Sequence, residues 1–277
     1  YKGELSVKKG SVGIYKLNVN SESTIISNGN WKIGESGYGI YAQENSTTRA
    51  INSITINNMA NMLLGTSAIG IFSDGKNVIK NSGHIIVGDT NINGSHKELA
   101  NHKNSVGIYL SGGSIGENTN SGIITTAYDH SVGVYVSGPG TTFINNGVMN
   151  VDAGGVGILV QNYGTAENKG TINIGSTLAP CETDSIGMAA YKGGSIINSG
   201  VININEGIGM YVSAGASLIN KGNMSIFNGV GISGGGYVVN KGNISIIPVG
   251  NGIDESTSNA AKVGAVEIDN KGNILIN

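Results

Sequence analysis

Residues able to do chemistry are few and scattered along this chain. Its 277 residues hold 18 Asp and Glu, 16 Lys and Arg, four His and one Cys. Enzymes that cut polysaccharides use clustered carboxylates, often with Ca²⁺ or a catalytic basic residue. Here the close pairs Glu182 with Asp184 and Asp254 with Glu255 stand alone, and Arg49, the sole arginine, has no acid within four residues. His96 and His102 share a segment with Asp89 and Glu98, a donor set suited to a metal. No tight ligand spacing of the His-Glu-x-x-His kind supports it, so a solvated loop is the plainer reading. Cys181 cannot form an intrachain disulfide and reads as a free thiol. No catalytic residue, metal or cofactor is expected, and the chain does not read as an enzyme.

Composition narrows the function classes further. Charged residues are 12% and the net charge is −2, without the basic patch that nucleic-acid binding requires. Glycine is abundant at 46 residues and asparagine numbers 36, but only three prolines occur. With 39% hydrophobic residues, rich in Ile and Val, this favours an ordered β array over low-complexity disorder. No apolar run approaches the roughly 20 residues of a membrane helix. The start at Tyr1 without a signal peptide fits a mature protein or a piece of a longer one.

The elements that position any site come from a repeat. One phrase recurs ten times: Val12-Gly-Ile-Tyr15, Tyr38-Gly-Ile-Tyr41, Ile69-Gly-Ile-Phe72, Val106-Gly-Ile-Tyr109, Val132-Gly-Val-Tyr135, Val156-Gly-Ile-Leu159, Ile186-Gly-Met-Ala189, Ile208-Gly-Met-Tyr211, Val230-Gly-Ile-Ser233 and Val263-Gly-Ala-Val266. A second phrase, Asn-x-Gly-x-apolar-x-apolar, follows it in each unit. It is clear at Asn81, Asn120, Asn145, Asn168, Asn198, Asn220, Asn240 and Asn270, with Ser27 in the Asn place of the first unit and Asn52 in the second. Apolar residues alternate as in strands, and the shortest unit is 22 residues. Three short strands in that length make one coil, so the fold class is all-β: a right-handed parallel β-helix of about ten coils. At about 4.8 Å per coil the rod would be roughly 48 Å long. Both ends match the last strand of a coil, as expected of one β-helix segment of a longer protein. In the last unit the first two strands are expected to merge.

Alternation assigns positions 1 and 3 of the first phrase to the interior, and the glycine and position 4 to the outside. Tyr15, Tyr41, Phe72, Tyr109 and Tyr135 then form an outer aromatic stripe, either a binding face or a structural cover for neighbouring glycines. The Asn column reads as a ladder of stacked amides. Extra residues at 57–68, 88–105, 175–185 and 247–262 all fall at one corner and should emerge from one edge. Insertions on one face of a repeat protein often bind partners. The candidates there are His96, Glu98, His102, Asp254 and Glu255. Neutral loop tolerance is the alternative.

The paired phrases Val-Gly-Ile-Tyr-Val and Ile-Asn-Lys-Gly-x-Ile-x-Ile, in an Asn-, Ile- and Lys-rich, Arg-poor setting, resemble the passenger repeats of large type V autotransporter adhesins, above all the fusobacterial ones. The resemblance spans the chain, yet it is carried by the scaffold and transfers no functional residue. It implies a cell-surface protein, anchored in the outer membrane through a C-terminal barrel that this chain lacks. The implied role is attachment to a protein or glycan receptor on host cells or other bacteria. A polysaccharide-degrading β-helix and a purely structural spacer are the alternatives.

Overall fold

A computed structural model describes residues 1–18, 22–44, 54–88, 105–126, 130–152, 154–175, 185–246, 262–263, 268–270 and 272–276. Every strand pairing among them is parallel and joins successive coils, and up to Val230 it links equivalent residues, as in Val132↔Val156 and Val156↔Ile186. The first strands of the ten coils make one ten-stranded sheet, from Val12–Asn18 to Lys262–Val263. The second and third strands make the other two sides, joined by two long strands into a nineteen-stranded sheet. A chain that pairs only with the coil before and the coil after is a parallel β-helix. Among the described residues there is no helix.

The interior is one continuous aliphatic column. In a third strand such as Thr171–Ile174 the second and fourth residues are buried, and the first and third are partly exposed. The same alternation holds from His84–Val87 to Asn243–Ile246. One core cluster runs from Val7 to Ile246, with Trp31 and Phe143 its largest side chains.

The corner between second and third strands is held by asparagines. Asn58, Asn81, Asn118, Asn145, Asn168, Asn198 and Asn220 each donate from Nδ2 to Oδ1 of the equivalent Asn in the following coil, over 2.7–2.9 Å. The column starts at Ser27, whose Oγ donates to Asn58 Oδ1 at 2.6 Å. An amide carries both donor and acceptor, so each residue satisfies its neighbours without water, which buried polar groups require. Two residues on, Gly170 lies against the carbonyl of Gly147, where a Cβ would collide.

Four expectations need correction. Positions 57–68 are not an insertion: Ile54–Leu64 is a strand of 11 residues, paired throughout with Ser23–Ile33. Both run through the corner without a break, so these two coils have a merged second and third strand. Ala60 stands where later coils have glycine, and the coil's ladder residue is Asn58 rather than Asn52. Residues 45–53, between Tyr38–Glu44 and Ile54–Leu64, lie outside the described residues. In the fourth unit the ladder residue is Asn118 rather than Asn120, because Asn118 ends the strand in register with Asn81 and Asn145. In the last unit Lys262 and Val263 pair with Ser233 and Gly234, four residues away from the register of the phrase. Its first two strands stay separate, as Lys262–Val263 and Ile268–Asn270.

The fourth correction concerns facing. The vacant Cβ position of Gly133 points inward, 3.0 Å from Met149 Cε, and lies 2.6 Å from the carbonyl oxygen of Gly157. The same close approach recurs from Gly39 to Gly209, so only glycine fits this column. Registers skip it, running Val132↔Val156 and then Val134↔Ile158. Alternation therefore slips at the glycine. Position 1 turns outward and is partly exposed, whereas positions 2, 3 and 5 are buried.

Replacing Asn168 by Leu takes the donor from the buried Asn198 Oδ1 and leaves Asn145 Nδ2 only the carbonyl of Gly147, at 3.3 Å. This should cost about 1–3 kcal/mol, read as a lower urea midpoint. Asn150→Ala, which removes the partly exposed acceptor of Asn173 Nδ2 at 3.0 Å, should cost under about 1 kcal/mol. Equal costs at the two sites would contradict the ladder's role. Gly133→Ala should destabilise by about 1–3 kcal/mol through overpacking; an unchanged midpoint would show that the coils can separate locally.

Candidate functional site

Parallel pairing at fixed register puts position 4 of one coil directly on position 4 of the next. Tyr15, Tyr41, Phe72, Tyr109 and Tyr135 therefore meet, as their spacing in the sequence suggested. Successive ring centroids are 5.5, 4.5, 5.0 and 4.7 Å apart, with interplanar angles between 17° and 26°. Tyr38, at position 1, sets its ring edge-on to Tyr41 at 5.2 Å and to Phe72 at 6.1 Å. Beyond Tyr135 the column continues in register with Leu159, Ala189 and Tyr211. Tyr191 packs on Tyr211 at 5.4 Å.

This geometry separates two uses of an aromatic stripe. Sugars and cations are held on ring faces. Within this column the faces cover one another, and what is offered outward is ring edge and phenol hydroxyl. Tyr15, 58% exposed, heads the described column. Burial raises the phenol pKa of Tyr41, Tyr109 and Tyr135, and the Asp74 carboxylate adds to the rise at Tyr41 and Tyr109. At Tyr135 a hydrogen bond with Ser137 works the other way. The carboxylate of Asp74 accepts from Ser111 Oγ at 2.8 Å.

Position 1 forms a second outer column that the sequence reading placed inside: Val12, Tyr38, Ile69, Val106, Val132 and Val156, continuing through Ile186, Ile208 and Val230. All are at least partly exposed, and Val12 is 41% exposed. The signal available in the sequence was the invariant placement of glycine after each of these residues, which marks the point where strict alternation fails.

The other candidates are not brought together. His96, Glu98, His102, Asp254 and Glu255 lie outside the described residues, as do Cys181, Glu182 and Asp184. Among the described residues no three His, Cys, Asp or Glu side chains gather to hold a metal ion. His84 sits on an outer strand position with Nε2 3.0 Å from Thr125 Oγ1, and partial burial lowers its pKa. Glu167 is taken up by Lys169 at 3.4 Å and by Ser199 Oγ at 2.7 Å.

Coils, ladder and solvent-facing stripe define a β-helix domain of the pectate lyase-like class. More specifically, the chain belongs to the family of BigA third pectate lyase-like domains, which matches residues 62–155 and again residues 152–229. This match supports a surface-protein, passenger-like domain. No curated protein and no solved structure matches the chain.

The raised phenols fix the sign of an alkaline effect. Above pH ~10 the unfolded chain loses phenol protons that the folded chain still holds, so stability present below that pH is lost as pH rises through the folded values. Urea midpoints should fall as pH rises above about 10, and part of the tyrosinate absorbance should appear later in the folded chain than in the unfolded one. Tyrosines that titrate identically in both states would contradict the packed column.

Proposed function

We propose that this chain is a segment of a bacterial cell-surface adhesin. Its β-helix serves as a stiff stalk, and loops on the stalk attach to a protein or glycan receptor on host cells or other bacteria. The observation that carries this reading is the placement of the long insertions. Residues 88–105, 175–185 and 247–262 all leave from the corner between a third strand and the next first strand. Parallel stacking puts the described ends of these segments, Gly88 and Ser105, Gly175 and Ser185, and Ile246 and Lys262, at equivalent places in their coils, and the three segments differ in sequence. The family match supports the surface setting. In the finer form of this proposal the chain is part of a fusobacterial-type passenger. It is exported by type V secretion and anchored through an outer-membrane barrel elsewhere in the protein. It acts in virulence by adhesion and without catalysis, and it binds no nucleic acid.

A second reading is cleavage of an acidic polysaccharide, favoured by the pectate lyase-like description of the family. Fold alone does not carry an activity across. Glycan cleavage that disappears on changing Glu182 and Asp184 to Ala would select it.

Deleting 89–103 and 249–260 together, which keeps Gly88, the buried Ser105 and the paired Lys262, should leave the circular dichroism of the rod intact and reduce cell binding at least tenfold in a fluorescence-labelled binding assay. Undiminished binding would remove the loops from the function and favour a spacer.

A further inference from the structure

Stacking hides the ring faces of the aromatic column, but one tyrosine stands apart from it. Tyr163 lies in the turn between Val156–Gln161 and Thr165–Asn168. At 71% it is the most exposed large hydrophobic side chain among the described residues. Four coils share this turn, closed by the N–H of Gly164 on the carbonyl of Gln161, Ser114 on Ser111, Gly194 on Tyr191 and Ala216 on Ser213. At its third residue the other three have glycine, with φ of +88° at Gly113, +79° at Gly193 and +78° at Gly215. Tyr163 takes the same left-handed conformation at φ +66°, directly after Asn162 at +51°. A bulky side chain in that conformation is strained, and strain of this kind gathers at ligand sites. The ring is also held in place. A Cβ on Gly193 would lie 2.7 Å from Tyr163 Cε1, so the ring rests on the bare backbone of the next coil.

We propose that Tyr163 is the stacking platform of a carbohydrate site and takes the apolar C–H face of a pyranose. The surroundings select that occupant. Asn162 and Lys192 are exposed, and Gln161 is partly so. Asn162 donates from Nδ2 to Ser137 Oγ at 3.1 Å, which leaves its Oδ1 to accept. An aromatic ring rimmed by amides and an ammonium matches a sugar ring, apolar on its face and hydroxylated at its edge. A protein partner fits poorly. One ring buries about 150–250 Å² at most, far short of the ~800 Å² per partner of a stable protein interface. A cation fits poorly too, because the charge nearest in sequence to the glycine under the ring is that of Lys192. This corner, between a first and a second strand, is not the one from which residues 88–105, 175–185 and 247–262 leave. The site therefore adds a glycan contact that does not depend on those loops.

The test is saturation-transfer NMR on the 277-residue chain with methyl β-D-galactopyranoside and methyl β-D-glucopyranoside at millimolar concentration. Saturation should pass to the C–H protons of one sugar face. Tyr163→Gly removes the ring where the other coils already have glycine, so circular dichroism should not change and the urea midpoint should stay or rise. Transfer should fall at least fivefold in this variant and stay within twofold in Tyr163→Phe. Tyr135→Leu, which gives position 4 the residue that the next coil has there, should leave transfer unchanged. No transfer to either sugar, or equal transfer in the wild type and Tyr163→Gly, overturns the proposal. So does a loss in Tyr135→Leu as large as in Tyr163→Gly, which would place the signal on the stacked column. Tetramethylammonium that binds at Tyr163 when neither sugar does overturns it in favour of a cation site. The adhesin reading is tested separately by loop deletion, so either can fail while the other stands.

Discussion

Each coil must hydrogen-bond to copies of itself at about 4.8 Å, and the rest of this molecule follows from that spacing. A residue at any position meets its own equivalent above and below. Asparagine is suited to this because it donates and accepts at once, and the buried column from Asn58 to Asn240 is the result. Glycine is suited because it brings no Cβ, and from Gly39 to Gly209 there is no room for one. Flat rings are suited because they stack. Charges are not, since like charges one strand apart repel without a counter-ion. The low charge of the chain is thus a property of its stacking, and its lysines appear at exposed corners such as Lys221 and Lys241 or beside an acid, as Lys169 is.

The same spacing explains which parts of the fold were legible in the sequence. Strand positions, third-strand facing and the Asn column could be read because the constraint writes the same residue types into every coil. Errors arose where a local rule was applied in place of the register between coils. Asn120 keeps the Asn-x-Gly spacing, yet Asn118 is the residue that stacks on Asn81 and Asn145. Ile54–Leu64 looked like an insertion because Ala60 replaces the glycine that punctuates other coils, although its pairing with Ser23–Ile33 never breaks. Val263 carries the phrase but not the register. Facing failed at position 1 because period-two alternation assumes an unbroken pleat, and the glycine column, pressed against the next coil's carbonyl, interrupts it.

The aromatic residues were foreseen one by one, but their use could not be. A list of tyrosines at coil spacing is consistent with a platform for sugars and with a structural seam. Centroid distances of 4.5–5.5 Å show rings covering one another, so a ligand along the column would meet ring edges and hydroxyls. The stripe shares its face with the mostly aliphatic column at position 1 and with a polar column two residues on, at Ser111, Ser137 and Gln161. The insertions follow different physics. Loop closure costs little extra with added length, so a corner can accept a long insertion without disturbing the ladder beneath it. The rod therefore divides labour: stacked positions are bound to repeat, and corners are free to vary.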